Sequence, residues 1–306
     1  MDRILRSLLY VPANSWRMIT NALTEGADAL ILDLEDACPM AEKETARIFA
    51  RDSIPMIKEQ GLEVFVRVNS LSTGLTGTDL EYVVAAGLDG IMLAKTESAQ
   101  DLVACDRMIA VQETAKGLEP GQTGLIALLE TPRAIMNLKE MTSASPRLLA
   151  LAFGSGDYSR EIGAGMGVTK LSPEEYFPMI LYPRSAIATA ARASGILALD
   201  TPFFGLVIDL EGLAVEAAKV KLLGFSGKQV THPRHVGPVN KAFSPDPAEV
   251  ELARQVIEAY QAASSKGLGA ASMGGKMIDL SSAKRAEALL AADRAIREKQ
   301  TAGRAD

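Results

Sequence analysis

The 306-residue chain has only two cysteines, Cys38 and Cys105, and only two histidines, His232 and His235. Two thiols cannot make the disulfide framework of a secreted scaffold, so the chain reads as the product of a reducing compartment, with both sulfurs as small core residues. The histidines lie across Pro233 at a spacing poorly suited to a shared metal, and His232 reads as a hydrogen-bonded structural residue. Long apolar runs are lacking too. Ser7 to Val11, closed by Pro12, is far too short to cross a membrane and carries no signal-peptide cleavage pattern. This predicts a protein of the cytoplasm, or of an organelle matrix after processing. A surplus of positive charge is also missing: the net charge of -6 argues against nucleic acid as the main partner. No glycine-rich fingerprint follows the first apolar run, which counts against a dinucleotide-binding sheet.

What is present is an alternation. Short strand-like runs, most of them apolar, at Ser7 to Val11, Ala29 to Leu34, Glu63 to Val68, Gly90 to Ala94, Leu125 to Pro132 (apolar up to its Glu130), Leu148 to Phe153, Ile196 to Leu199 and Lys228 to Val230 are separated by helical or loop segments. Runs this short and this apolar predict parallel strands buried on both faces. Eight β/α units that close on themselves make a TIM (β/α)8 barrel over 1–240, with a doubly wound sheet as the other arrangement of the same units. Residues 241–306 then form a C-terminal helical extension or lid. Its helices run from about Asp246 to Ser264 and Ser281 to Lys299, with a loose Gly/Ser/Ala-rich hinge between them, and the extension either covers the barrel mouth or packs on a neighbouring subunit.

Polar residues stand where the strands end: Glu35 and Asp36, Arg67, Lys95, Glu130, Asp157 and Asp200. Strand ends are where such folds keep their chemistry. Glu130 and Asp157 end consecutive runs, which suggests a hard-cation site for Mg²⁺; each also fits as a simple cap of the helix that follows. Arg67 suits a substrate carboxylate, or a structural pairing with Glu35. Lys95 raises Schiff-base chemistry, against which the neighbouring carboxylates would keep its ammonium protonated. Glycines 154, 163, 165 and 167 lie in loops able to approach a phosphate, although glycine at a strand-end turn is ordinary.

Several segments, taken in order, resemble the citrate lyase β-subunit-like proteins of the HpcH/HpaI aldolase family, relatives of malyl-CoA and citramalyl-CoA lyases. They are Arg6-Ser7-Leu8-Leu9-Tyr10-Val11-Pro12, Leu32-Asp33-Leu34-Glu35-Asp36-Ala37, Val66-Arg67-Val68-Asn69, Leu129-Glu130-Thr131-Pro132, Phe153-Gly154-Ser155-Gly156-Asp157, Gly224-Phe225-Ser226-Gly227-Lys228 with His232-Pro233, and Met277-Ile278-Asp279. The resemblance implies a Mg²⁺-dependent barrel that cleaves or forms a carbon–carbon bond between an acyl-CoA enolate and a 2-oxo acid. It implies Glu130 and Asp157 as metal ligands, Glu35 and Asp36 as partners of metal-bound waters, and Arg67 on the oxo-acid carboxylate. Asp279 would exchange the proton at the acetyl carbon, reaching the site from its own or a neighbouring subunit of a homo-oligomer, a trimer or hexamer. Arg6, Tyr10 and Arg17 would lie where CoA docks. Two further readings follow: a subunit of a citrate lyase-like complex fed by an acyl carrier protein, and a Schiff-base aldolase using Lys95.

Overall fold

The computed structural model describes residues 3–164 and 173–302. Gly165 and Gly167 of the expected glycine loop lie outside the described residues. Eight parallel strands form a closed barrel in chain order: β1 (Ser7–Pro12), β2 (Ala29–Asp33), β3 (Glu63–Val68), β4 (Gly90–Leu93), β5 (Gly124–Leu129), β6 (Leu148–Phe153), β7 (Leu197–Asp200) and β8 (Gly227–Val230). β1 pairs with both β2 and β8, which shuts the cylinder and excludes the open doubly wound sheet. Closure is tight at β8: a Cβ on Gly227 would sit 1.8 Å from the Leu5 carbonyl oxygen, so no larger residue fits there.

Strand parity sorts the side chains. One set, including Leu8, Ile31, Phe65, Met92, Ile126, Leu128, Ala152 and Leu199, fills the cylinder. The alternating set, including Leu9, Leu32, Val66, Leu93, Ala127, Leu151 and Ala198, packs against the surrounding helices. This is why most of the strands read as apolar runs: both faces are buried.

The helices follow local capping chemistry. Ser15 caps the helix Trp16–Ala22 after β1, and Thr131 caps Pro132–Met136, where proline occupies the first turn. Among the described residues, no helix is long and apolar enough to cross a membrane.

The described residues divide into two compact units, one within Leu5–Phe243 and the other comprising residues 244–302 together with 3–4. In the second unit, the helix Pro247–Ser264 opens with a reciprocal Asp246/Glu249 capping box and is followed by the long helix Leu280–Ala302. Between them the expected loose hinge contains an antiparallel hairpin, β9 (Ala271–Met273) with β10 (Lys276–Ile278). The reason is Gly274-Gly275, both at positive φ, which supply the turn that a two-residue hairpin loop requires.

Candidate active site

The C-terminal rim of the barrel is built around one pair of facing residues. By parity Asp33 and Arg67 continue the inward-facing rows of Ile31 and Phe65, and the register sets them directly opposite each other on β2 and β3. Arg67 Nε donates to Asp33 Oδ1 at 2.7 Å and Nη2 to Oδ2 at 2.6 Å. The guanidinium also lies over the Tyr10 ring, 4.9 Å from its centroid. The Tyr10 hydroxyl in turn donates to Gln229 Oε1 at 2.8 Å. One edge of the arginine fork is therefore committed, while Nη1 faces Glu35 Oε2 at 3.0 Å and Asp36 Oδ2 at 4.0 Å.

Glu35 is held by its backbone. The buried Lys43 ammonium donates to the carbonyls of Leu34 (2.5 Å) and Glu35 (2.8 Å) and to Asn69 Oδ1 (2.8 Å). Asn69 is anchored by Asp79, which also pairs with Arg47. All three ammonium protons are thus spent on bracing the turn after β2. The Glu35 carboxylate accepts from Lys95 Nζ at 2.7 Å through Oε1, whereas the buried Oε2 makes no well-formed hydrogen bond despite its proximity to Arg67. Burial raises the Glu35 pKa, and Arg67 and Lys95 only partly offset it.

Lys95, just after β4, has φ 50°, the only positive φ at a non-glycine among the described residues. Such backbone strain persists only where surrounding contacts hold it. Here the Lys95 amide donates to Glu130 Oε1 at 2.8 Å. The ammonium reaches within 4.0 Å of Asp157 Oδ2. Burial would lower the Lys95 pKa, but the hydrogen bond to Glu35 and the charges of Glu35, Asp36 and Glu130 together outweigh it and raise the pKa, so the amine is protonated and poorly suited to attack a carbonyl.

Glu130 emerges at the end of β5. A Cβ on Gly154, at the end of β6, would meet Glu130 Oε2 at 2.8 Å, so glycine there makes room for the carboxyl group. Burial foremost, then the neighbouring Glu35, push the Glu130 pKa up to about 8, with Asp157 adding to the effect. Asp157 stands in the first turn of the helix Ser155–Glu161 and pairs with Arg160 at 3.1 Å. The cluster is thus short of positive charge. No three acidic, histidine or cysteine side chains among the described residues form a ready metal cage. Mg²⁺ usually takes one or two carboxylates and leaves its other positions to water and substrate. The orphaned Glu35 Oε2 and the hard oxygen donors of Glu130 and Asp157 fit such an ion.

The rim therefore brings together Glu35, Arg67, Lys95, Glu130 and Asp157. Asp36 stands at its edge with a side chain 64% exposed. Asp200 does not join it: fully buried on the outward parity of β7, it binds Arg184 and Lys228. Nor does Arg6, which precedes β1 and so lies at the opposite, N-terminal end, with its guanidinium buried against Asp28 at 2.8 Å. Tyr10 serves the barrel interior through Gln229, and Arg17 is exposed on the helix after β1. His232 is the expected structural residue, its Nδ1 accepting from the Arg234 amide at 3.2 Å. Asp279 belongs to the second unit, where it accepts from the Ser282 amide at 2.8 Å and hydroxyl at 2.9 Å. Two residues of the rim went unrecognised in the sequence: Asp33 and Lys43. The parity of Asp33 with Ala29 and Ile31 was the available signal.

A cavity of about 250 Å³ beside Lys95, lined by Ser70, Ser72, Glu97 and Thr131 among others, opens next to these groups. A larger, apolar groove between the helices Leu138–Met141 and Leu181–Ala193 holds none of them.

Residues 6–233 match the model of the HpcH/HpaI aldolase/citrate lyase family. The citrate lyase subunit beta of Escherichia coli K12 is 39% identical over 277 residues, covering 90% of this chain and 89% of that protein. The L-malyl-CoA/beta-methylmalyl-CoA lyase of Rhodobacter capsulatus is 30% identical over 304 residues, covering 94% of each. Among solved structures, CitE from Mycobacterium tuberculosis in complex with magnesium, acetoacetate and coenzyme A superposes with a TM-score of 0.75 at 28% identity, covering 96% of this chain and 100% of that one. Barrel, acidic rim and relatives agree: the chain belongs to the HpcH/HpaI aldolase/citrate lyase family and is a carbon–carbon lyase.

Proposed function

We propose that the protein is a Mg²⁺-dependent lyase that cleaves a 3-hydroxyacyl-CoA such as malyl-CoA or citramalyl-CoA to acetyl-CoA and a 2-oxo acid, or runs the reverse condensation. The observation that carries this reading is the surplus of buried carboxylate around Glu130 and Glu35, beside a guanidinium whose Nη1 lies 3.0 Å from Glu35 Oε2 without a well-formed hydrogen bond. Glu130 and Asp157 would hold the ion, with Glu35 and Asp36 completing the acidic rim. When bound, Mg²⁺ supplies Lewis-acid polarisation of the substrate oxygens.

The chain's own groups do the rest. Arg67 takes the oxo-acid carboxylate and fixes the bond to be broken. As the carbon–carbon bond breaks, its electron pair passes to the acyl α-carbon, the hydroxyl oxygen becomes a carbonyl, and its proton passes to a rim carboxylate. Asp279 delivers a proton to the α-carbon from its own or a neighbouring subunit of a homo-oligomer.

The deciding experiment incubates purified protein with Mg²⁺ and a panel of hydroxyacyl-CoAs and reads the products by mass spectrometry. Cleavage that EDTA abolishes is expected; cleavage that survives EDTA overturns the metal role. Asp279→Ala should abolish turnover while leaving oxo-acid binding intact. If Asp279 acts across subunits, mixing inactive Asp279→Ala and Glu130→Gln proteins restores part of the activity.

The 39% identity to a citrate lyase subunit supports a second reading, in which the thioester arrives on an acyl carrier protein. Turnover of a citryl thioester on such a carrier, with none on free CoA thioesters, would select it.

A further inference from the structure

We infer that Asp33 is a positioning residue: it locks the Arg67 guanidinium by its side edge so that only its end edge is presented to a substrate carboxylate, and it ties that orientation to the placement of Glu35. The inference rests on the functional reading above for the identity of the ligand, and on geometry for the lock itself.

Each Asp33 oxygen accepts twice. Oδ1 takes the Glu35 amide at 2.9 Å and Arg67 Nε at 2.7 Å. Oδ2 takes the Ala37 amide at 3.1 Å and Arg67 Nη2 at 2.6 Å. One buried carboxylate therefore sets both the turn that carries Glu35 and the plane of the guanidinium. Arginine has five N–H donors in a rigid fork. The Nε and Nη2 protons on the side edge are consumed, which leaves the Nη1 protons and the second Nη2 proton. The end edge, Nη1 with Nη2, still matches the spacing of a carboxylate. Tyr10 backs one face of the guanidinium at 4.9 Å and limits rotation out of that plane.

Without Asp33, Arg67 would retain an attractive partner, Glu35, at 3.0 Å. Freed from Asp33, the guanidinium would rotate to complete the hydrogen bond that Glu35 Oε2 now lacks and so occupy the edge the substrate needs. Asp33 touches no substrate in this scheme; it acts through Arg67. Its charge also balances the arginine locally, which leaves the carboxylates nearer Lys95 free to attract a cation.

The test uses the full chain with Asp33→Asn, Asp33→Glu and Arg67→Lys, singly and combined. The first measurement is the proton–nitrogen spectrum of protein labelled at arginine Nε, with the Arg67 signal assigned by its loss in Arg67→Lys. A sharp, displaced Arg67 signal is expected in the wild type. In Asp33→Asn it should collapse into the solvent-exposed envelope, and an unchanged signal would overturn the inference. Should Asp33→Asn fail to fold, Asp33→Glu keeps the charge but moves it by one methylene, and there a shifted signal is expected.

The second measurement is binding of pyruvate, glyoxylate and oxaloacetate with Mg²⁺ present. Asp33→Asn should weaken binding about 10- to 100-fold, as loss of an orienting partner commonly does. In the Arg67→Lys background it should add less than about 3-fold, because its route of action is gone. Fully additive losses would show that Asp33 does not work through Arg67. If the wild type binds none of the three acids, the functional reading fails, and the Arg67 signal alone decides whether the lock exists.

Discussion

Two charge clusters sit in this barrel, and they are built to opposite rules. On the β7–β8 wall, Arg184 pairs with Asp200 at 2.8 Å, Lys228 reaches Asp200 at 2.6 Å and Glu216 at 2.7 Å, and all but Glu216 are fully sealed from solvent. Cations and carboxylates balance there. Burial alone would raise the Asp200 pKa, but Lys228 and Arg184 more than offset it and lower it. At the rim, Arg67 and Lys95 face Asp33, Glu35, Glu130 and Asp157, and the pKa values of Glu35 and Glu130 rise. A balanced cluster can only hold elements together. In an unbalanced one the strained carboxylates are candidates for a functional site.

Removing charge from each cluster should therefore have opposite effects. Glu130→Gln relieves the rim, so the metal-free protein should melt no lower than wild type, yet metal-dependent turnover should fall by about 10³-fold or more. Thermal melts in EDTA and a thioester-cleavage assay measure both; retained turnover with a lower melting point would return Glu130 to the structural class. Asp200→Asn unbalances the wall and should cost about 3–5 kcal/mol in urea unfolding, because buried cations lose their partner. Unchanged stability would show that the wall does not depend on its charge balance.

A pH series sharpens it. The Glu130 carboxyl is shifted from 4.5 to about 8, so between those values the folded, metal-free state binds more protons than the unfolded chain. Its stability must then fall as pH rises through that window. Metal binding expels the proton, so apparent Mg²⁺ affinity should climb about tenfold per pH unit and level off near pH 8. Calorimetric titration from pH 6 to 9 checks this, and an affinity independent of pH would remove the burdened carboxyl from the site. The smallest effect belongs to the exposed pair Arg254–Glu251, 3.7 Å apart on one helix. Glu251→Ala should change stability by under about 0.5 kcal/mol, whatever happens at the clusters.

Asp200 and Glu130 also show where reading the chain succeeds and fails. Both end apolar runs followed closely by proline, and in one dimension they look alike. Glu130 lies on the parity of Ile126 and Leu128, which fill the cylinder; Asp200 lies on that of Ala198, which faces the helices. A step of one residue exchanges the two faces, and when both are apolar nothing in the run says which is which. Asp33 was passed over for the same reason, as one polar residue within a motif whose more conspicuous acids follow it. Arg6 was misplaced for another: it stands before its strand, so it belongs to the end away from the rim.

The strands, their order and the ends at which acids accumulate are legible in the linear chain, because short apolar runs and their polar stops are local properties. Which acids meet depends on how the barrel closes. Closing the cylinder chooses an inside, and that choice set Asp33 against Arg67 and brought Lys95 beside Glu35 while sealing Asp200 into the wall. Charge balance is a sum over neighbours in space, and those neighbours come from strands far apart along the chain.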